Sequence, residues 1–176
     1  MTTSIVARIR DGGPADADAM LALFDEAVVW LVARDQPGQW GTEPWSQRPH
    51  AVGRARQWAA GPGLRIAEAQ DGSVIGALVV LPQHPPHVAP IAEPERYIDA
   101  LVTSRRHAGQ GIGAELIATA IRETREAGVP VLRVDCWADA PALVAWYERQ
   151  GFEKAGTFSV DGWRGQVFEM RIQPSA

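Results

Sequence analysis

The stretch Tyr97–Ile117, YIDALVTSRRHAGQGIGAELI, constrains this chain more than any other. Tyr97 to Val102 are mostly apolar and β-favouring, as a short buried strand is. Arg105-Arg106-His107-Ala108-Gly109-Gln110-Gly111-Ile112-Gly113 is basic and then glycine-rich, which predicts a tight turn. From Ala114 onward Leu116, Ile117, Ala120 and Ile121 recur at helical spacing, with Glu115, Arg122 and Glu123 placed to face water. A strand that enters a helix through glycines leaves a row of free backbone N–H groups at the helix N-terminus. Without Cβ atoms the glycines let an anion approach, and the helix dipole adds to the attraction. Arg105 and Arg106 supply charge for further phosphate oxygens. The stretch is built to hold a phosphate.

Spacing narrows which phosphate. The dinucleotide fingerprint G-x-G-x-x-G puts its third glycine on Ala114, and the extra Gly113 and the mid-chain position argue against it. A P-loop requires Gly-Lys-Ser/Thr, and the only lysine in the chain is Lys154. The turn instead resembles the pyrophosphate loop for acetyl-CoA of the GCN5-related N-acetyltransferases, Q/R-x-x-G-x-G/A, with Gly111 and Gly113 as its paired glycines. The Gln/Arg position of that loop falls on Ala108, so the resemblance implies binding through backbone, Gln110 and the flanking arginines.

A chain of 176 residues is one domain of ordinary size, taken here as residues 1–176, and long enough for a full core. Hydrophobic and charged contents of 46% and 22% are those of a soluble globular protein. A net charge of −4 argues against general nucleic-acid binding. The single Cys136 excludes an intramolecular disulfide and gives no support for an extracellular setting. The N-terminal MTTSIVARIR reaches Arg8 and Arg10 too quickly for a signal peptide, and no apolar run approaches the roughly 20 residues that span a bilayer. The expectation is a cytoplasmic protein without a membrane partner.

In chain order, Ile5 to Arg10 alternates as a first strand, and Pro14, Asp16 and Asp18 suit a helix start. Met20, Leu23, Phe24, Ala27, Val28 and Leu31 form one apolar face of a helix over Ala19–Arg34, stopped by Gln36-Pro37-Gly38. Gln39 to Trp45 is irregular and carries Trp40, Glu43 and Trp45, which either bind something or cover core. Ser46 can cap a second helix to about Ala60. Leu64–Ala69 and Val74–Leu81 read as a hairpin closed by Gln70-Asp71-Gly72-Ser73. Pro82 to Pro94 holds five prolines with His84 and His87, and its stiff extended backbone keeps the two imidazoles from converging on a metal. The third helix ends at Gly128 and Pro130, and Val131–Trp137 is the next strand. Helix and strand now alternate, so this half is α/β with its two central strands parallel. Asp139 is the N-cap candidate of a fourth helix that closes at Gly151. Phe152–Phe158 and Gln166–Ile172 complete the strands, linked by Val160–Gly165.

Tyr147-Glu148-Arg149-Gln150-Gly151-Phe152 is similar to a second signature of the same family, Tyr-x-x-x-Gly-Phe; the Asn often found seven residues before that Tyr is Ala140 here. Two signatures in order, each beside the expected strand, imply the acyl-CoA N-acyltransferase fold, an α/β mixed sheet of about seven strands with four helices. The resemblance implies acetyl-CoA as cosubstrate. It would be held by Leu101, Val102, Thr103, Arg105, Arg106, Ala108, Gly109, Gln110, Gly111, Ile112, Gly113 and Ala114. It also implies that an amine attacks the thioester directly, with Tyr147 as acid to the departing thiolate, since a phenol near pKa 10 matches a thiolate's basicity.

Asp99 is the first candidate for the base, because a mid-strand carboxylate among apolar neighbours is costly unless paired, hydrated or used. Asp135 is the second, with Arg133 on its own face offering an ion pair. A covalent role for Cys136 is disfavoured by the neighbouring Asp135, which raises thiol basicity. Trp40, Trp45 and Trp163 fall in predicted loops that would flank the acceptor mouth in this fold. With Glu43 they suit an aromatic or cationic amine. The leading expectation is acetylation of a small-molecule primary amine. A protein N-terminus or lysine is the alternative acceptor, and a non-catalytic acyl-CoA-sensing domain is the alternative class. Members of the family are often dimers, so a homodimer stays open.

Overall fold

The computed structural model describes residues 7–174. In chain order it holds strand β1 (Arg8–Asp11), helices α1 (Ala17–Val32) and α2 (Pro49–Ala60), and strands β2 (Leu64–Glu68), β3 (Val74–Leu81) and β4 (Glu95–Thr103). Helix α3 (Ile112–Glu126), strand β5 (Val131–Trp137), helix α4 (Pro141–Arg149) and strands β6 (Glu153–Val160) and β7 (Trp163–Arg171) follow. The seven strands are ordered β1-β2-β3-β4-β5-β7-β6. β4 and β5 are parallel, with Glu95 opposite Val131 and Ile98 opposite Val134. The β1–β2, β2–β3, β5–β7 and β6–β7 pairs are antiparallel. This is the mixed seven-stranded sheet with four helices that the sequence predicts.

The chain divides into two compact units, one of the described residues up to Val79 with Ala100–Leu116, the other of Val80–Asp99 with the described residues from Ile117 onward. In the first unit, the Ile5 and Val6 part of the expected first strand lies outside the described residues. Asp16 anchors the start of α1. Its carboxylate accepts two bonds from Arg10, at 3.0 and 2.8 Å, and the Gly13 N–H at 2.9 Å. The Arg10 bond, against some desolvation, holds this carboxyl below the usual carboxylate range. Met20, Leu23, Phe24, Ala27 and Val28 form the buried face of α1 as expected. Ser46 does not cap α2. Its N–H and hydroxyl go to the Asp25 carboxylate, and the helix starts at Pro49 with Arg48 as N-cap. A proline in the first turn needs no N–H partner, so the start moves to it. The β2–β3 turn closes as predicted, with Gly72 at φ 83° and Asp71 accepting the Ser73 N–H at 3.0 Å. Gly76 on β3 carries the α3 contact: a Cβ there would meet Ile112 Cγ2 and Leu116 Cδ1 at 3.0 Å.

In the second unit, β5 matches its predicted bounds, and Gly151 closes α4 at φ 97°. Asp139 is not the N-cap of α4. Ala140 takes that position, and Asp139 accepts a bond from Arg164 Nη1 at 3.2 Å. The expected Val160–Gly165 loop is also shorter than predicted. Asp161 and Gly162, at φ 50° and 82°, form a two-residue turn, so the strands reach Val160 and Trp163 and pair there. Both central residues of such a turn need positive φ, which Asp-Gly tolerates. Trp163 is therefore a strand residue, against Phe158 at 5.7 Å, and not a loop residue. Val88, Tyr97 and Val167 form a buried cluster with Ala155 and Phe158 packed on it, so the proline-rich segment is tied down at Val88. His84 pairs with Glu95 and His87 packs on the Phe158 ring at 4.7 Å, so the two imidazoles take different partners. Among the described residues no helix is long and apolar enough to cross a membrane.

Candidate active site

In the first unit, β4 ends at Thr103, and the Ser104 N–H bonds to Ile75 O at 2.9 Å. Arg105–His107 make one 3-10 turn, and the chain then passes through Gly109 and Gly111 at φ 78° and 80°. An added Cβ at either glycine meets nothing within 4 Å, so backbone conformation and not crowding calls for glycine. The space above them is open. The Glu115 N–H bonds to Gly111 O at 3.0 Å as the first helical bond, so the N–H groups of Ile112, Gly113 and Ala114 lie ahead of the helical ladder. Gly113 thus sits in the first turn of α3, and the two left-handed turn glycines are Gly109 and Gly111. Gln110 Oε1 and His107 Nδ1 are buried here without partners. Open left-handed glycines, N–H groups ahead of α3 and two unsatisfied polar atoms fit a phosphate-bearing ligand.

The residues flanking this turn divide between roles. Leu101, Val102 and Thr103 are the last residues of β4, and Ala108 is exposed. Arg105 folds back on the strand end, with Nη2 donating to Thr103 Oγ1 at 2.7 Å, while the Arg106 side chain is 86% exposed. Glu26 on α1 holds the segment in place. It accepts the Arg106 N–H at 3.1 Å and the Ser104 hydroxyl at 3.2 Å. Nothing in the periodicity of α1 singles Glu26 out, since its partners lie about 80 residues away on the scale of chain separation that only folding closes.

Trp40 and Trp45 surround Phe24. Trp45 is stacked on it at 4.0 Å and 5°, and Trp40 meets it edge-on at 5.0 Å. Arg48 Nη2 donates to Trp40 O at 2.9 Å and to the Glu43 carbonyl, which fixes the loop. Of the two roles left open for these tryptophans, packing over core is what the structure displays. Among the described residues Trp45 Nε1 and Arg48 Nε are buried without hydrogen-bond partners, with Arg48 Nε 3.9 Å from Glu43 Oε2. Trp163 belongs to the second unit.

In the second unit, Tyr147 on α4 is 5% exposed and ringed by Trp146, Phe168 and Phe152 at 5.0, 5.3 and 5.9 Å. Among the described residues no hydrogen bond engages its hydroxyl. Burial pushes the phenol well above its ordinary pKa, with Cys136 and Asp135 adding to the effect. It stays protonated far into the alkaline range. Arg133, 2% exposed, turns to Glu95 Oε2 at 3.0 Å and Ala89 O at 3.1 Å, and the Tyr97 hydroxyl donates to Asp135. A buried guanidinium is better served by a buried carboxylate than by a half-exposed one. Asp99 is half-buried on β4 two residues beyond Tyr97, and its charge reaches the Tyr97 phenol. Burial first, and Asp135 second, push the Cys136 thiol up to about 12, so it is no thiolate nucleophile at neutral pH. Among the described residues no group of three or more His, Cys, Asp or Glu could hold a metal ion.

The strand that leads through left-handed glycines into a helix and the Tyr–Gly–Phe helix end after the next strand both lie between residues 26 and 152. Residues 26–152 match the model of the acetyltransferase (GNAT) family. The chain belongs to the GNAT family. Over 76 residues it is 39% identical to the uncharacterized N-acetyltransferase YesJ of Bacillus subtilis (strain 168). That match covers 43% of this chain and 41% of the relative, less than half of either. Among solved structures, a GNAT-family acetyltransferase from Listeria monocytogenes 4b F2365 superposes with a TM-score of 0.72 at 20% identity, over 94% of each chain. The ribosomal-protein-S18-alanine N-acetyltransferase of Escherichia coli superposes at 0.67 with 18% identity, over 97% of each chain. A GCN5-related N-acetyltransferase from Kribbella flavida gives 0.69 at 20% identity, over 94% of this chain and 97% of that one. At such identities the likeness is one of fold. The GNAT fold is common ground; the acceptor is not.

Proposed function

We propose that this GNAT-family chain is an acetyl-CoA-dependent N-acetyltransferase acting on the primary amine of a small molecule. The observation that carries the reading is the open left-handed glycine turn feeding the unbonded N–H groups of α3. In it the N–H groups of Ile112, Gly113 and Ala114, with Gln110 and the exposed Arg106, hold the pyrophosphate. The backbone of Leu101–Thr103 at the end of β4 holds the amide arm. Acetyl-CoA supplies an activated acetyl thioester. Asp99 takes the proton of the attacking amine through water, and Tyr147 Oη gives a proton to the sulfur as the carbon–sulfur bond breaks and the carbon–nitrogen bond forms. Burial keeps this phenol protonated at working pH and also makes it a weaker acid than the free phenol that matches a thiolate.

The test is a panel of small amines and peptide N-termini, with free thiol measured as CoA is released. Amine-dependent release with small amines is expected. Release with peptides alone would transfer the reading to protein substrates. Acetyl-CoA binding without release by any amine would make the chain a sensing domain.

A further inference from the structure

Glu26 and Trp30 stand one turn apart on α1, Arg34 is exposed in the turn two residues beyond the end of that helix, and Arg105 and Arg106 reach Trp30 and Glu26 from the end of β4. Two guanidinium groups converge on the half-buried indole of Trp30. The Arg34 Cζ is 4.1 Å from the ring centroid, and its Nη1 donates to Trp30 O at 3.3 Å. The Arg105 Cζ is 4.9 Å from the same ring, with Nη2 held by Thr103 Oγ1 at 2.7 Å and Nε near Thr103 O at 3.4 Å.

The charges here do not balance locally. Glu26 spends its oxygens on the Ser104 hydroxyl and the Arg106 N–H. Among the described residues no carboxylate forms an ion pair with Arg34 or Arg105, in a chain whose net charge is −4. Arg105 is half-buried. Burial, and to a lesser degree the Arg34 charge, pull its guanidinium below its ordinary basicity, while Glu26 acts the other way. A ring face offsets part of the cost of two neighbouring cations but supplies no counter-charge. If Trp30 served only to pin a side chain, one arginine would suffice. Both forks are oriented and short of an anion.

We propose that Trp30, Arg34 and Arg105 form a subsite for a carboxylate carried by the acceptor, so that the amine acetylated belongs to an amino-acid-like molecule. This rests on the acetyltransferase reading above. It replaces the aromatic or cationic amine expected from the loop tryptophans, since Trp45 has a face committed to Phe24. It also separates the two adjacent arginines. The exposed Arg106 serves the phosphate turn, and Arg105, turned to Thr103 and α1, serves the acceptor.

The experiment compares amino acids with their own amides, for example phenylalanine with phenylalaninamide, in wild type, Arg105→Gln and the surface variant Arg34→Gln. Wild type is expected to favour the acid. Each variant should lower the acid-to-amide ratio of kcat/KM by about 10- to 100-fold, the span of a charged hydrogen-bonded contact. Equal use of acid and amide by wild type overturns the subsite. So does a rise in the KM for acetyl-CoA that matches the loss, because the arginines would then belong to the cosubstrate's phosphates. If no amine is acetylated, the acetyltransferase reading fails by itself, and the subsite is read by thermal melting with citrate. A citrate-induced rise in Tm that is lost in Arg105→Gln supports the carboxylate site, and equal rises in both proteins overturn it.

Discussion

The glycine turn and the Tyr147 cluster solve opposite problems. The turn presents backbone N–H groups to open space and depends on two left-handed residues. The cluster buries a phenol among three aromatic rings and depends on side chains brought from α4, β6 and β7 and their flanks. The first binds with groups every residue owns, so only conformation matters there. The second tunes the acidity of one group, so what matters is exclusion of water and the neighbouring charge. Affinity is expected to reside in the turn and turnover in the cluster.

Tyr147→Phe tests that division most severely. The ring packing survives and only the donor is lost, so turnover should fall by about 10²–10³ while acetyl-CoA affinity, measured by calorimetry, holds. A matching loss of affinity would merge the two regions into one. Asp99→Asn should follow, with kcat/KM down about a hundredfold. An undiminished kcat/KM would move the base elsewhere.

The cluster also predicts the alkaline stability of the fold. The chain has two tyrosines, Tyr97 and Tyr147, and burial raises both phenols above their ordinary value. Their contribution is fully present below the unfolded pKa near 10 and is lost as pH rises toward the folded values. Each tyrosine should then cost about 1.4 kcal/mol of stability per pH unit above about 10. Phenolate absorbance should appear only as the protein melts; appearance in the folded state would show that the rings are wet.

On the other side, Gly111→Val forces a β-branched residue to φ 80° where nothing crowds it. Strain of about 1–3 kcal/mol should appear as weaker acetyl-CoA binding and a lower Tm. Unaltered binding would mean that the turn does not need its left-handed residue. Gly76→Ala makes the smallest change. Its Cβ meets Ile112 Cγ2 and Leu116 Cδ1 at 3.0 Å, and a Tm loss worth about 1–2 kcal/mol is expected. A gain would show that the start of α3 shifts freely on β3.

Legibility followed the range of the physics. The Val74–Leu81 and Val131–Trp137 strands and the Asp71-Gly72 turn were readable because runs of apolar side chains and local φ preferences act within a few residues. Helix starts were read less well. Ser46 and Asp139 are good caps by type, yet each found a better partner, Asp25 or Arg164, across the fold. Sequence alone puts Trp163 in a loop because the reach of a two-residue turn depends on the partner strand. Of the candidate site, the turn was visible as glycines, and Tyr147 by resemblance to a family. The Tyr97–Asp135 bond and the turn of Arg133 to Glu95 were not, although all four residues are conspicuous in type.

The sequence by itself determined the order of strands and helices, the glycine turn and the family, because each rests on side-chain type and spacing along the chain. The tertiary structure alone decided which charge meets which. Ionic and hydrogen-bonded partners are chosen by burial and by proximity between distant segments, and neither is written in local order. That is why Trp30 on α1 and Arg34 just beyond its end acquire meaning only when Arg105 is folded against them.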